Sequence, residues 1–459
     1  MTLGVSDNCE GVRIEEWTQC RLGHVADINP RGWVGKSDSL GDGQVVFLPM
    51  PAVGVSGQLR TDLRMSKGAL TAGLTRFSRG DILVAKITPC FENGKGASLD
   101  RLPTQHGAGS SEFHVLRPRA TINVRFLYRL TTEKVFRLNG EQMMTGSAGQ
   151  KRVPTSYLKE TVIFLPSMEE QELIVRYLDH AELRIAKAIA AKQCMIKLLD
   201  EREELALLQA ITQSDKPKTT DPRLDWLGEF PAHWDVKRLG SLLEERNEMN
   251  ADRQVQQVLS LVRKRGVMRY EDKGRIGNKR SDDVARYKVV REGDIVLNSM
   301  NVIIGSVGQS AYTGCLSPVY YVLKPRSNEH HNAYFNALFQ VERFHSSLVR
   351  FGKGILAHRM RIPMIDLKTV MLPVPPPDEQ LAIADRVVKA TAELRAAKAG
   401  IEAEIALLKE YRTRLISDVV TGKLDVRDEA AKLPDVDPME LATTAVGENG
   451  DDEEATDDD

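Results

Sequence analysis

Three sequence markers occur twice in this chain, in the same order and about 210 residues apart. A strand opener, Arg79-Gly80-Asp81-Ile82-Leu83, is matched by Glu292-Gly293-Asp294-Ile295-Val296. Val115-Leu116-Arg117-Pro118 is matched by Val322-Leu323-Lys324-Pro325. Leu165-Pro166-Ser167-Met168-Glu169-Glu170-Gln171 is matched by Leu372-Pro373-Val374-Pro375-Pro376-Pro377-Asp378-Glu379-Gln380, and each leads into a long amphipathic pattern. Agreement in kind, order and offset is hard to obtain by chance. It predicts pseudo-twofold architecture and a partner that is itself double, either two half-sites or two copies of another protein.

Before each long pattern, short apolar runs alternate with Gly and Pro. Val45-Val46-Phe47-Leu48, Ile82-Leu83-Val84-Ala85 and Phe113-His114-Val115-Leu116 read as strands, and Phe126 to Glu141 as one helix capping their sheet. In the second half the strand-like runs are Val258 to Val262, Ile295 to Leu297 and Val319 to Leu323. The expected fold class is α+β: two similar globular domains, separated and joined by two long antiparallel helices that form a coiled-coil-like spacer. The boundaries are a first domain at 1–166, a helix at 167–213, a linker at 214–222, a second domain at 223–374, a helix at 375–422 and an acidic tail at 423–459.

Ser167 and Glu170 make an S-x-x-E capping box, expected to satisfy two orphan amides. Ile174, Leu178, Ala181, Ile185, Ala188, Met195 and Leu199 then form a seam, broken once by Lys192. Pro217 and Pro222 forbid continuation of that helix. The second seam is Ile383, Val387, Ala390, Leu394, Ala397, Ile401, Leu408, Tyr411 and Leu415, with Gly422 as the stop. Forty-odd residues at about 1.5 Å each make a rod of roughly 65 Å. Pairing two such rods removes both stripes from water, at about 25 cal/mol per Å²; the alternative is that each helix packs on its own domain.

The net charge of −1 hides an asymmetry: from Asp428 to Asp459 there are thirteen acids and one base, Lys432. The rest of the chain is near +11, which suits a polyanion partner and equally an ordinary soluble surface. The tail from Gly447 is too polar to bury a core and is expected to be disordered. No apolar run is long enough to span a membrane, and the polar N-terminus reads as no signal peptide. Five scattered cysteines with no C-x-x-C argue for a reducing compartment, the cytoplasm by default, and against zinc or a disulfide framework.

Catalytic motifs fail one by one. Gly35-Lys36-Ser37 ends like a P-loop, but Pro30 stands where the first Gly belongs and offers no amide to a phosphate. Asn29-Pro30-Arg31-Gly32 lacks the second Pro and the aromatic of an adenine methyltransferase loop. Glu271-Asp272-Lys273, with Asp252 upstream, is a triplet expected by chance among 64 acids and 63 bases. No H-E-x-x-H occurs, and His330-His331 reads as a loop pair, so no metal site is expected.

Basic stretches remain. Arg263 to Arg291 holds eleven bases and four acids around Gly266, Gly274 and Gly277, and the first half has a thinner counterpart in Arg60, Arg64, Lys67, Arg76 and Arg79. Gly149-Gln150-Lys151-Arg152 and Lys353-Gly354-Ile355-Leu356-Ala357-His358-Arg359 lie at similar places before the two helices. Such loops can hold phosphates and send side chains to base edges; the plainer reading is a solvated face. The candidate DNA contacts are Arg60, Arg64, Lys67, Lys86, Lys95, Gln150, Lys151 and Arg152 in the first half. In the second they are Arg263, Lys264, Arg265, Arg269, Lys273, Arg275, Asn298, Asn301, Lys353 and Arg359.

Over nearly its whole length the chain resembles a specificity subunit of a type I restriction–modification system. The resemblance rests on Trp234-Asp235-Val236-Lys237-Arg238-Leu239-Gly240, the two Gly-Asp-Ile openers and Gly146-Ser147-Ala148-Gly149-Gln150-Lys151-Arg152. It rests also on the two Leu-Pro…Glu-Gln helix starts and on Leu415-Ile416-Ser417-Asp418-Val419-Val420-Thr421-Gly422-Lys423-Leu424. It implies a non-catalytic subunit whose two target-recognition domains each read half of a bipartite double-stranded DNA site. The long helices would act as a ruler and dock two DNA adenine methyltransferase subunits. This chain would bind no cofactor; S-adenosylmethionine, ATP and Mg would sit on those subunits and on a restriction/translocase subunit. Two other readings stay open: a DNA-modifying or DNA-cleaving enzyme with a degenerate site, and a coiled-coil assembly protein that binds no DNA. The second half departs from the pattern, with Gly352-Lys353-Gly354 where the first has Gly-Gln-Lys-Arg.

Overall fold

The computed structural model describes residues 16–33, 43–70, 73–147, 150–263, 265–274, 283–300, 302–353, 360–437 and 440. The contacts of these residues gather into two units, one of residues up to 192 with 403–437 and 440, the other of residues 193–402.

In the first unit, β1 (Thr18–Arg21) leads through a single turn, α1 (Leu22–Val25), into β2 (Ala26–Ile28). Two four-stranded sheets follow. One joins β3 (Gln44–Leu48), β4 (Arg64–Ser66), β5 (Thr75–Ser78) and β8 (His106–Gly109) in the order β4-β3-β8-β5, with β3 parallel to β8. The other joins β2, β6 (Ile82–Ala85), β7 (Gly96–Ser98) and β9 (Phe113–Pro118) in the order β2-β9-β6-β7. Strand β6 is buried throughout because it separates two cores. Period-two alternation sends Ile82 and Val84 into one, and Leu83 and Ala85 into the other.

The stretch read as one helix is two, α2 (Val124–Thr132) and α3 (Lys134–Gln142). Glu133 breaks it with extended backbone (φ −63°, ψ 138°), and its carboxylate caps the Phe136 amide at 2.9 Å. The same side chain accepts from Ser417 Oγ at 2.9 Å, so a tertiary partner decides the break. After α4 (Thr155–Glu160), β10 (Val162–Leu165) pairs antiparallel with β1 and delivers the chain to α5 (Met168–Thr212).

The second unit opens with a two-residue pair, β11 (Lys218–Thr219) and β12 (Phe230–Pro231), and then repeats the plan. β13 (Asp235–Arg238) runs through the turn α6 (Leu239–Leu242) into β14 (Leu243–Glu245). A hairpin, β15 (Leu259–Val262) with β16 (Gly266–Arg269), precedes β17 (Lys288–Val290), β18 (Ile295–Asn298), β19 (Val307–Gln309), β20 (Gly314–Leu316) and β21 (Tyr320–Pro325). The sheet order β14-β21-β18-β19 copies β2-β9-β6-β7, and β17 pairs β20 as β5 pairs β8. Helices α7 (Asn332–Phe339), α8 (Glu342–Ser347) and α9 (Met364–Leu367) cover this core. β22 (Met371–Val374), paired with β13, then leads to α10 (Pro377–Val420) as β10 leads to α5.

The Gly-Asp openers are tight turns. Gly80 and Gly293 take φ of +88° and +86°, a region open to glycine. Asp81 Oδ2 accepts from the Ser78 amide at 2.7 Å, and Asp294 Oδ2 from the Arg291 amide at 2.9 Å. Each carboxylate is then forked by an arginine, Arg117 from β9 at 2.7 and 2.8 Å, and Arg246 just after β14 at 2.7 and 3.1 Å.

The Glu-Gln markers are joints. Gln171 Nε2 donates to the Pro166 and Thr121 carbonyls (3.0 and 3.2 Å), and its Oε1 accepts the Asn123 amide (2.7 Å). Gln380 does the same with the Pro375 and Glu329 carbonyls (3.0 and 3.2 Å) and the His331 amide (2.9 Å). The capping box forms only in part. Ser167 Oγ accepts the Glu170 amide at 3.2 Å, but the Glu170 carboxylate turns away to accept the Trp17 indole N–H at 3.0 Å. A half-buried indole N–H still seeks a partner, and that demand outweighs the local cap.

Both long helices meet in each unit. In the first, Ile174, Val175 and Leu178 of α5 share a core with Leu415, Val419 and Val420 of α10. Arg412 pairs with Glu182 at 3.3 Å, and Lys192 with Glu404. In the second, Leu207, Ala210 and Ile211 share a core with Ile383 and Val387, and Arg395 pairs with Glu203 at 2.6 Å. Within each unit α10 numbers fall as α5 numbers rise, so the packing is antiparallel. Of the expected seams, Met195 and Tyr411 are exposed, along with Ala390 and Ala397. Leu183, Ile189 and Thr391 are buried instead, because the strips follow sheets and loops as well as the opposite rod. Gly422, at φ +72°, lies just beyond α10. The chain returns over α5: Val426, just before the turn α11 (Arg427–Ala430), and Ala430 within it are buried. Arg176 meets Asp435 at 3.0 Å, and His180 Nε2 lies 2.6 Å from the Pro434 carbonyl.

Candidate nucleic-acid interface

Asn29, the first residue of the excluded methyltransferase-like loop, is a staple. At φ +52° it follows β2, its Oδ1 accepts the Val115 amide at 3.0 Å, and its Nδ2 lies 3.0 Å from His114 Nδ1. Burial lowers the His114 pKa. That imidazole also contacts the Val153 carbonyl at 2.9 Å, so Asn29 and His114 tie the sheet to the loop carrying Lys151 and Arg152.

Around Glu112 the first set of candidates converges. The Lys86 amide donates to the Glu112 carbonyl and the Lys86 carbonyl accepts the Val153 amide, both at 2.9 Å. Arg152 forks the Glu112 carboxylate with two bonds of 2.9 Å, which holds that carboxyl below its ordinary range. Gln150 and Lys151 are exposed beside it. Elsewhere in the unit Lys95 donates to the Met50 carbonyl at 3.3 Å, and Arg60 lies 3.6 Å from Asp62. Arg64 turns back onto the Thr61 and Leu63 carbonyls.

In the second unit Arg263 donates to the Ile304 carbonyl at 2.8 Å, and Lys353 pairs with Asp366 at 3.0 Å. Asn298 Oδ1 accepts the Met300 amide at 3.1 Å. Arg265 is exposed. Lys273 is not on the surface: it is 4% exposed, with its ammonium 4.4 Å from the Tyr270 ring centroid. Glu271-Asp272-Lys273 lies in a 3-10 turn, and that burial takes Lys273 away from both a duplex and a metal. Lys264, Arg275, Asn301 and Arg359 lie outside the described residues, as do Gly35-Lys36-Ser37 and the tail from Leu441. Among the described residues no group of His, Cys, Asp and Glu could hold a metal, and no helix is long and apolar enough to cross a membrane.

The candidates missed two aromatic seats. Arg76, exposed on β5, has its guanidinium 5.6 Å from the Trp33 ring centroid, and Lys67 approaches the same ring at 6.0 Å. Trp33 is itself held by stacking on His106 (5.0 Å, 14°) and by donating to the Gly107 carbonyl at 3.1 Å. Arg269, at the end of β16, lies 5.2 Å from the Tyr312 ring centroid. Tertiary packing brings these residues together, and no local spacing announces it.

Residues 14–192 match the family model for the type I restriction modification DNA specificity domain. This segment is similar to that domain. The chain is 36% identical over 193 residues to the type I restriction enzyme EcoAI specificity subunit of Escherichia coli, covering 40% of this chain and 32% of that protein. It is 37% identical over 163 residues to the EcoEI specificity subunit of the same organism, covering 35% and 27%. The aligned part therefore spans about a third or less of those relatives' length. A solved chain described as "Structural basis underlying complex assembly and conformational transition of the type I R-M system" covers 90% of this chain and 100% of its own, with a TM-score of 0.61 at 18% identity. That likeness is one of fold, and it takes in both units. The sheet order of the matched segment recurs in the second unit.

Proposed function

We propose that this chain is the DNA-specificity subunit of a type I restriction–modification complex, with each unit reading one half of a split site in double-stranded DNA. The observation carrying this reading is the repeat: the sheet order of the unit that matches the DNA specificity domain recurs in the second unit. Exposed Lys151, Arg265 and Arg269 supply cations for phosphates and bases.

The long helices act as the ruler. Half-sites read from one face of DNA must lie about one helical turn, or a multiple of it, apart. Lengthening both helices by matched insertions should change the tolerated spacer and leave the half-sites as they are.

Chemistry belongs to partners in this reading. Two DNA adenine methyltransferase subunits carry S-adenosylmethionine, and a restriction/translocase subunit carries ATP and Mg. The complex works in the cytoplasm, and this chain holds no cofactor and catalyses nothing. Exposed apolar side chains on the long helices suit two docking partners: Leu198 (59% exposed) in the second unit, and Leu407 (63%) with Tyr411 (54%) in the first.

Mapping methylated adenines in host DNA, with and without this chain, tests the reading. A split motif that vanishes with the chain is expected. A methylome that does not depend on the chain, or methylation by the purified chain alone, would defeat it.

A further inference from the structure

Most basic side chains of the two units are already engaged. Arg152 forks Glu112, Lys353 pairs with Asp366, Arg263 and Lys95 are tied to carbonyls, and Lys273 is buried. A cation that must leave a partner before gripping DNA loses part of what it gains.

Arg76 and Arg269 differ from all of these. Each is exposed, sits over an aromatic ring from elsewhere in its unit, and has no carboxylate within ion-pair distance among the described residues. A guanidinium over a ring is positioned by its flat face. Its N–H donors, with no carboxylate to occupy them, are available for the bidentate contact that guanine O6 and N7 accept in the major groove. Both seats have contacts of their own. Trp33 is fixed by His106 and the Gly107 carbonyl. The Tyr312 backbone is held by a turn in which its amide donates to Ser310 Oγ at 3.2 Å and Ser310 Oγ donates to its carbonyl at 2.8 Å. Arg350 also lies over a ring, but that ring is its own neighbour Phe351, so the contact is a local rotamer and not a tertiary seat.

We infer that Arg76 and Arg269 are the specificity-determining arginines of the two units, each reading a guanine in its own half-site from its aromatic seat. This rests on the split-site reading above and names the residues that carry it.

The test maps methylated adenines in host cells expressing the wild-type chain, R76A, R269A, or the charge-keeping R76K and R269K, at matched protein levels. The wild type should give a split motif; if it gives none, the functional proposal itself fails. R76A should relax one guanine in one half-site, by about tenfold or more in preference, and leave the other half-site intact. R269A should do the same to the opposite half-site. Lys keeps the charge but loses the fork, so R76K and R269K should relax the same positions while methylation persists. An unchanged motif in the alanine variants overturns the inference. So does a weakening that is uniform across all sequences, which marks a phosphate contact. If an alanine variant abolishes methylation, its Lys counterpart decides: a relaxed half-site supports the inference, and an intact motif or no methylation overturns it.

Discussion

The indole of Trp234 donates to Glu379 Oε2 at 3.0 Å, as the indole of Trp17 does to Glu170 Oε1 at the start of the other long helix. The carboxylate that opens each rod is thus held by a tryptophan from the strand region it follows in space. Glu379 gathers more: Lys216 at 2.8 Å and His233 at 2.9 Å. Burial raises the pKa of this carboxyl, but hydrogen bonds from Lys216, Trp234 and His233 outweigh it and hold the pKa down to about 2.

That depression has a sign. A carboxyl lowered from an ordinary 4.5 to about 2 contributes stability that is fully present above 4.5 and lost as pH falls through the window toward 2. Glu379→Gln removes the titrating group. In urea unfolding the stability gap between wild type and variant should narrow steadily across that window. A gap independent of pH would show that Glu379 gains nothing from these bonds.

Gln171 and Gln380 are 0% and 1% exposed, and each joins a strand end, a loop and a helix start. Gln171→Leu leaves the Asn123 amide without its side-chain partner at about 1–3 kcal/mol for an unsatisfied buried group. A loss of about 2 kcal/mol or more is expected at either site in chemical denaturation. A loss under about 0.5 kcal/mol would mean that water fills the joint.

Asp81 and Asp294 hold the same place on different strands' arginines. By register, Arg246 stands where the first unit has Asn29, and Lys324 stands where it has Arg117. Arg246→Ala leaves the Asp294 carboxylate, 5% exposed, without its fork, at about 3–5 kcal/mol. Adding Lys324→Arg should recover part of that loss by the route the first unit uses. A double-mutant cycle with no recovery would refute the exchange.

The segment after α10 straps α5. Ending the chain at Leu424 removes buried Val426 and Ala430 and the partners of Arg176 and His180. Amide exchange in residues 168–192 should quicken, and exchange in residues 223–374 should stay as it is. Equal protection in the first stretch would mean that the strap adds nothing to the helix.

The duplication, the two rods and the absence of catalytic signatures were legible in the residues themselves. A strand opener and a helix start are local devices, written in Gly-Asp turns, proline stops and hydrophobic period. Strands β3, β6, β9, β15, β18 and β21 followed from the same periodicity.

What spacing could not supply was which partner each polar side chain would take. Glu170 had an Ser167 amide within reach and took a distant indole. Glu133 ended a helix that its neighbours would have continued, because Ser417 lies opposite it. Lys273 read as a free cation and is buried against Tyr270, whereas Arg76 sits over Trp33, more than forty residues away in the sequence. Backbone periodicity is a property of neighbours along the chain, but burial and hydrogen-bond choice depend on groups that only folding brings near. The sequence by itself therefore determined the plan of two repeated units with their long helices, and the tertiary structure alone decided which of many similar cations are buried, which are paired and which stay exposed.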